Sequence, residues 1–212
     1  MKIKYLGHSC FQLTSRQGTV VIADPYTRVG YELPIGLKAN AVTTSHSHFD
    51  HNYTEKIECS HIINELGEYQ VNDVHITGIS SYHDDKNGAL RGKNIIYKYE
   101  IDNLIVCHLG DLGEPISPLI LEKIGCVDVL LLPVGGKYTI DERQAKAYAD
   151  AIAPKVVIPM HFKPHDGQLD ILGVEPFMAQ FLQNIIIRQG GNELEIHAEC
   201  LLDTMSIVYL ER

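Results

Sequence analysis

Nowhere does the chain hold the roughly 20 consecutive apolar residues that a membrane-crossing helix needs, so no such helix is expected. Its start, Met1-Lys2-Ile3-Lys4-Tyr5-Leu6-Gly7, lacks the apolar core and small-residue cleavage site of a secretory signal. Cys-x-x-Cys spacing is missing as well. The cysteines, Cys10, Cys59, Cys107, Cys126 and Cys200, are odd in number and scattered, which points to reduced thiols in the cytoplasm and to no structural disulfide. No proline-, glycine- or serine-rich tract and no internal repeat divides the 212 residues, so one domain over 1–212 with one large core is expected. Positive charge is also scarce. Lys and Arg total 18 against 27 Asp and Glu, a net charge of -9 that disfavours nucleic acid and anionic lipid as partners. An anionic small molecule stays compatible, because bound cations can make one pocket locally positive. Oligomeric state is left open, homo-oligomers included.

What the chain does have is His46-Ser47-His48-Phe49-Asp50-His51, directly after Ala41-Val42-Thr43-Thr44, which reads as a buried strand. Residues two apart in an extended or tightly turning segment point the same way, so His46 and His48 can grip one cation while Asp50 and His51 turn toward a second. Imidazole and carboxylate without thiolate suit zinc, manganese or iron(II) and can leave a coordination position open for water. A solvated, histidine-rich polar loop is the bland alternative; the length of the motif argues against it.

The first half reads as short strands at Lys2 to Leu6, Cys10 to Thr14, Thr19 to Ala23, Ala41 to Ser45, Val74 to Ile79, Asn94 to Tyr99 and Leu104 to Leu109. Helices are predicted over Ser117 to Ile124, Asp141 to Ile152 and Val174 to Gln183, the second with Asp141 as N-cap and Gln144 as its reciprocal partner. Val127 to Val134 and Val156 to Met160 are continuous apolar runs, expected as strands buried on both faces. Further ligand candidates close these strands: His83, Asp111 and His161. A carboxylate can bridge two cations, and Gly110 and Gly113 beside Asp111 permit close backbone approach. His108 is assigned to packing or support of the site. Asp24 either orients a liganding imidazole through its other nitrogen or simply satisfies a turn before Pro25.

Taken together, Gly7-His8-Ser9-Cys10-Phe11, Ile22-Ala23-Asp24-Pro25, the His46 to His51 string, His108-Leu109-Gly110-Asp111, Leu132-Pro133-Val134-Gly135-Gly136 and Pro159-Met160-His161 resemble the metallo-β-lactamase-fold hydrolases, in particular the compact lactonase-like ones. The likeness spans nearly the whole chain. It implies an α/β fold of four layers, αββα, with two divalent metal ions at one edge of paired sheets. By position, it puts His46, His48 and His83 on the first metal, Asp50, His51 and His161 on the second, and Asp111 between them. It also brings His8 to the border of the site. Lys137 and Tyr138 either face substrate or serve as turn and capping residues, with Thr139 beside them. Neither the inserted domain of RNA-processing relatives nor the helical domain of thioester-cleaving ones is present.

The chemistry expected is hydrolysis by water that bridges two cations and ionises near neutral pH, with Asp50 orienting it; zinc is the default, with manganese or iron as substitutes. A small ester, lactone or amide is the first substrate class that the resemblance suggests. A phosphodiester comes second, and a noncatalytic metal-binding sensor is the reading from another class. Serine or cysteine nucleophiles are disfavoured: no Gly-x-Ser-x-Gly elbow occurs, and Cys107 and His108 point apart in a strand.

Overall fold

A computed structural model describes every residue, Met1–Arg212, and places two sheets face to face. The six-stranded sheet contains β1 (Lys2–Gly7), β2 (Cys10–Thr14), β3 (Val20–Ala23), β4 (Lys38–Thr43), β5 (Glu58–Ile63) and, at the edge beyond β1, β13 (Glu193–Glu195). The eight-stranded sheet begins with β6 (Gly67–Val71), β7 (Val74–Tyr82), β8 (Lys93–Ile101) and β9 (Leu104–His108), an antiparallel meander. It continues in parallel through β10 (Val129–Pro133), β11 (Val156–Met160), β14 (Ser206–Tyr209) and β12 (Ile186–Arg188). The mixture has a local cause. Asp102 and Asn103, both at positive φ, form a two-residue turn that returns β8 into β9, whereas the crossover into β10 is long enough to carry α1 (Pro118–Ile124).

Alternation decides which face each strand presents. In β3, Val21 and Ala23 join the main 45-residue core cluster, while Ile22 points outward into a second cluster with Leu6, Cys10 and Val42. That outer face is covered by Tyr26, Val29 and Leu33 from the segment after β3. All five residues of β10 and all five of β11 are buried, as the continuous apolar runs predict. α1 and α2 (Glu142–Ile152) pack on the eight-stranded sheet. Ser117 caps α1, and Asp141 with Gln144 forms the reciprocal capping box of α2.

The third helix is shorter than its sequence pattern suggests. Only α3 (Glu175–Met178) is α-helical in the 174–183 segment. Phe177 and Met178 are already buried within that turn, and the Gln180 amide donates to the Glu142 carbonyl at 2.7 Å, so docking on α2 ends the helix early. Apolar alternation does not mark β5 or β6. Most of their side chains are exposed near a sheet edge, so neighbouring backbone rather than burial specifies them.

Candidate metal centre

Five parallel-running strand ends open onto one rim of the sandwich. β3 delivers Asp24, β4 the 46–51 loop, β7 His83, β9 Asp111 and β11 His161, while the β1–β2 turn brings His8. This convergence follows from topology: strands that run parallel end together, and the loops after them share one edge. The His161 N–H donates to the His8 carbonyl at 2.9 Å, which ties the two sheets together at the rim. His8, Asp24 and His161 all hold positive φ, 53°, 45° and 51°. A left-handed backbone costs about 1–3 kcal/mol at a residue other than glycine, so packing must hold it there.

The geometry divides into two groups around one carboxylate. Asp111 Oδ1 lies 3.0 Å from His51 Nε2 and 3.4 Å from His161 Nε2; its Oδ2 lies 3.3 Å from His83 Nε2 and 3.8 Å from His46 Nε2. His48 Nδ1 is 2.9 Å from His46 Nε2. On the other side, Asp50 Oδ2 stands 3.3 Å from His8 Nε2 and 3.9 Å from His51 Nε2. The donor atoms of His46, His48 and His83 lie within 4.8 Å of one another, as do those of His8, Asp50, His51 and His161. All seven residues expected as ligands are thus brought together, and His8 joins the second group rather than merely bordering it.

Asp24 controls how two of these imidazoles present themselves. Its Oδ2 accepts from His51 Nδ1 at 2.7 Å and from the Ser45 hydroxyl at 2.6 Å, and its Oδ1 accepts from the Ser45 N–H at 2.7 Å. With its proton given to Asp24, the Ser45 oxygen accepts from His46 Nδ1, 3.0 Å away. One buried carboxylate therefore engages the Nδ1 of His51 and, through Ser45, that of His46, and turns the Nε2 of each toward Asp111. His108 is different. Its Nε2 donates to the Ser9 carbonyl at 2.8 Å and its Nδ1 accepts from the Gly110 N–H at 3.0 Å, so both nitrogens are engaged in shaping the turn before Asp111.

Such a set fits divalent metal. His8 Nε2, His51 Nε2 and Asp111 Oδ1 are buried at the centre of the cluster without a hydrogen-bond partner, a state that costs about 1–3 kcal/mol per group unless another species engages it. Burial holds His46 down to about 3 and His8 to about 4, so both are neutral ligands at ordinary pH. Burial would raise Asp111, but the positive potential of His161 and His51 outweighs it and keeps the carboxylate ionised. Asp50 behaves alike: burial opposes its ionisation, and the nearby His8 ring, 3.3 Å away, together with His51 prevails. Nitrogen-rich, thiolate-free sets of this kind suit zinc, manganese or iron.

Above the cluster lies a cleft of about 350 Å³ walled by Phe49, Tyr138, Leu169 and Arg91, a size usual for small molecules. Tyr138 faces it. Lys137 does not: its ammonium pairs with Asp170 on the surface. Three supporting residues carried no motif. Ser45 relays Asp24 to His46; Asn94 accepts from the Asp111 N–H at 2.9 Å and donates to the Leu109 carbonyl at 2.9 Å; Arg91 enters the cleft from the loop after His83. No local signal marks them, because each acts across strands that only the fold brings side by side.

Asp84 builds that last loop. Its carboxylate accepts from the N–H groups of Lys86 and Gly88, both at 2.8 Å, Leu90 at 2.9 Å and Arg91 at 2.7 Å. Burial pushes this carboxyl up, but those four donors, Arg91 foremost, hold it down to about 2. A carboxyl lowered on folding stabilises above its unfolded value, near 4, and loses that contribution as pH falls toward 2. Asp84→Asn should therefore speed hydrogen exchange at these amides roughly tenfold at neutral pH, and flatten the fall in melting temperature between pH 5 and pH 3. Unchanged exchange would show that the loop stands without the carboxylate.

Residues 2–161 match the family described as the beta-lactamase superfamily domain. A UPF0173 protein of Pyrococcus furiosus is 32% identical, covering 76% of this chain and 83% of its own length. A UPF0173 metal-dependent hydrolase of Koribacter versatilis is 26% identical over 76% of this chain and 84% of that one. Among solved structures, one from Thermotoga maritima, assigned as a zinc-dependent hydrolase of the metallo-β-lactamase superfamily, superposes with a TM-score of 0.80 at 36% identity and covers 99% of each chain. An isothiocyanate hydrolase from Delia radicum gut bacteria shares the fold alone, with a TM-score of 0.69, 14% identity and coverage of 93% and 100%. With its paired sheets and a histidine and aspartate cluster at their common rim, the chain belongs to the metallo-β-lactamase superfamily, among its UPF0173 metal-dependent hydrolases.

Proposed function

We propose that this metal-dependent hydrolase is dinuclear and cleaves a small ester, lactone or amide. The observation that carries the reading is the division of Asp111, one oxygen facing His51 and His161 and the other facing His83 and His46. His46, His48 and His83 would hold one ion and Asp50, His51 and His161 the other, with Asp111 serving both and His8 beside Asp50. Zinc suits the nitrogen-rich set best. Such ions, when bound, polarise the scissile oxygen and lower the pKa of water from 15.7 to about 7.

The protein's own groups do the rest. Asp24 keeps His51 and, through Ser45, His46 from rotating, so the site is organised before substrate arrives. Asp50 Oδ2, kept ionised by His8, takes up the proton that the attacking water surrenders and returns it to the leaving group. Phe49, Tyr138 and Leu169 exclude bulk solvent from one side of the cleft. The small volume favours a compact substrate over a polymer, which ranks phosphodiesters of nucleic acid second.

The test is a lactone and aryl-ester panel beside bis-p-nitrophenyl phosphate, with metal analysis of the wild type and His48→Ala. Close to two divalent ions per chain and turnover of a carbonyl substrate are expected, both falling sharply in His48→Ala, by about 100-fold or more in rate. Equal metal content in the two proteins would reject the site, and turnover of the phosphodiester alone would reject the substrate class.

A further inference from the structure

The wall of the cleft contains a single Lys or Arg, Arg91, and its guanidinium forms no ion pair with a carboxylate. Its Nη2 donates to the Lys137 carbonyl at 3.4 Å and its Cζ lies 5.7 Å from the Tyr138 ring centroid, a carbonyl and an aromatic face rather than a carboxylate. The neighbouring Lys137 shows the contrast, since its ammonium is matched by Asp170. Asp50 and Asp111 line the same cleft, yet both are turned to imidazoles.

The backbone beneath Arg91 is unusually constrained. Asp84 takes the N–H of Arg91 itself at 2.7 Å, the Gly92 carbonyl accepts from His83 N–H at 3.1 Å, and Gly92 N–H donates to Gly88 at 3.0 Å. Gly113 packs so tightly on this loop that a Cβ there would sit 2.6 Å from the Asp84 nitrogen. Arg91 and His83 therefore ride on one clamped loop, which fixes the base of the arginine relative to the histidine cluster. A guanidinium offers a planar fork of N–H donors that matches carboxylate or phosphate. In a protein of net charge -9, a fixed cation at the mouth of the site also offsets long-range repulsion of an anionic ligand.

Building on the hydrolytic reading above, we propose that Arg91 binds an oxyanion, carboxylate or phosphate, carried by the substrate away from its scissile bond, which makes the substrate an anionic ester, lactone or amide. Arg91 thus selects among substrates, and the histidine cluster performs the hydrolysis.

The experiment measures binding rather than turnover, so its failure is separable from failure of the hydrolytic reading. Metal-loaded full-length protein is titrated calorimetrically with butyrate, with succinate, glutarate and adipate, and with 3-phosphonopropionate, in the wild type, Arg91→Gln and Arg91→Lys. Matched melting temperatures and metal contents establish that the variants are folded and loaded. In the wild type, at least one two-anion probe should bind about 10- to 100-fold more tightly than butyrate. Arg91→Gln should erase that advantage, and Arg91→Lys should keep part of it. A preference for the phosphonate over every dicarboxylate identifies phosphate as the partner, and the reverse identifies carboxylate. If no probe outperforms butyrate, or if Arg91→Gln weakens butyrate and the two-anion probes equally, the assignment is overturned.

Discussion

Asp111→Asn should strip the protein of most of its divalent metal and slow hydrolysis at least about 100-fold, close to 2.7 kcal/mol at 1.36 kcal/mol per decade. Asparagine has nearly the same shape, so Asn94 should still accept from the backbone N–H of residue 111 and the turn should keep its path. What changes is charge and donor type. One carboxylate oxygen becomes an NH2 group, which must point either at His51 and His161 or at His83 and His46. Either way, one histidine group loses its acceptor and the other keeps a weaker one. Metal content by mass spectrometry, kcat/KM on a confirmed substrate and circular dichroism together check the result. Wild-type metal and rate in a folded Asp111→Asn protein would contradict the bridging role.

Gly135→Ala should be the most damaging small change on the rim. A methyl group there would overlap the carbonyl oxygen of His161, and the oxygen belongs to backbone that cannot swing aside. Val134 N–H donates to the Met160 carbonyl at 3.0 Å and Leu172 N–H donates to the Gly135 carbonyl at 2.8 Å, so both chain segments are pinned on each side of the clash. Relief requires moving β10 away from β11 or displacing His161, whose own backbone already holds positive φ. The expected cost is about 3 kcal/mol or more, in the range reserved for overpacking at a strained site. It should be seen as a lower denaturation midpoint together with weakened metal binding. A midpoint and metal affinity equal to the wild type would show that the two strands separate freely at this end.

Much of the candidate centre was evident before any fold, for a physical reason. Metal ligation needs particular atoms, and His46, His48, Asp50 and His51 supply them within six consecutive residues, where side-chain direction follows from spacing alone. The capping box of α2 and the apolar runs of β10 and β11 are likewise local or compositional signals. The end of α3 and the edge strands β5 and β6 were harder, because docking on α2 and pairing with neighbouring backbone decide them.

His8, Ser45, Asn94 and Arg91 illustrate what lies beyond reach of a linear reading. His8 comes within 3.3 Å of Asp50 only because a β1–β2 turn is stitched to the end of β11, and Asn94 meets Asp111 across a strand pair. The even choice for Asp24, imidazole partner or plain turn residue, concerns a contact with His51 at 2.7 Å between residues far apart in the chain. By itself, then, the amino-acid order determined the metal-seeking chemistry and the strands that carry it, since residue type and short spacing contain both. Tertiary structure alone decided which nitrogen each imidazole turns inward, that His8 joins the second group, and that Arg91 stands over the cleft without an ion-pair partner. Those properties depend on through-space distances and burial, which arise only when separate strand ends are brought to one rim.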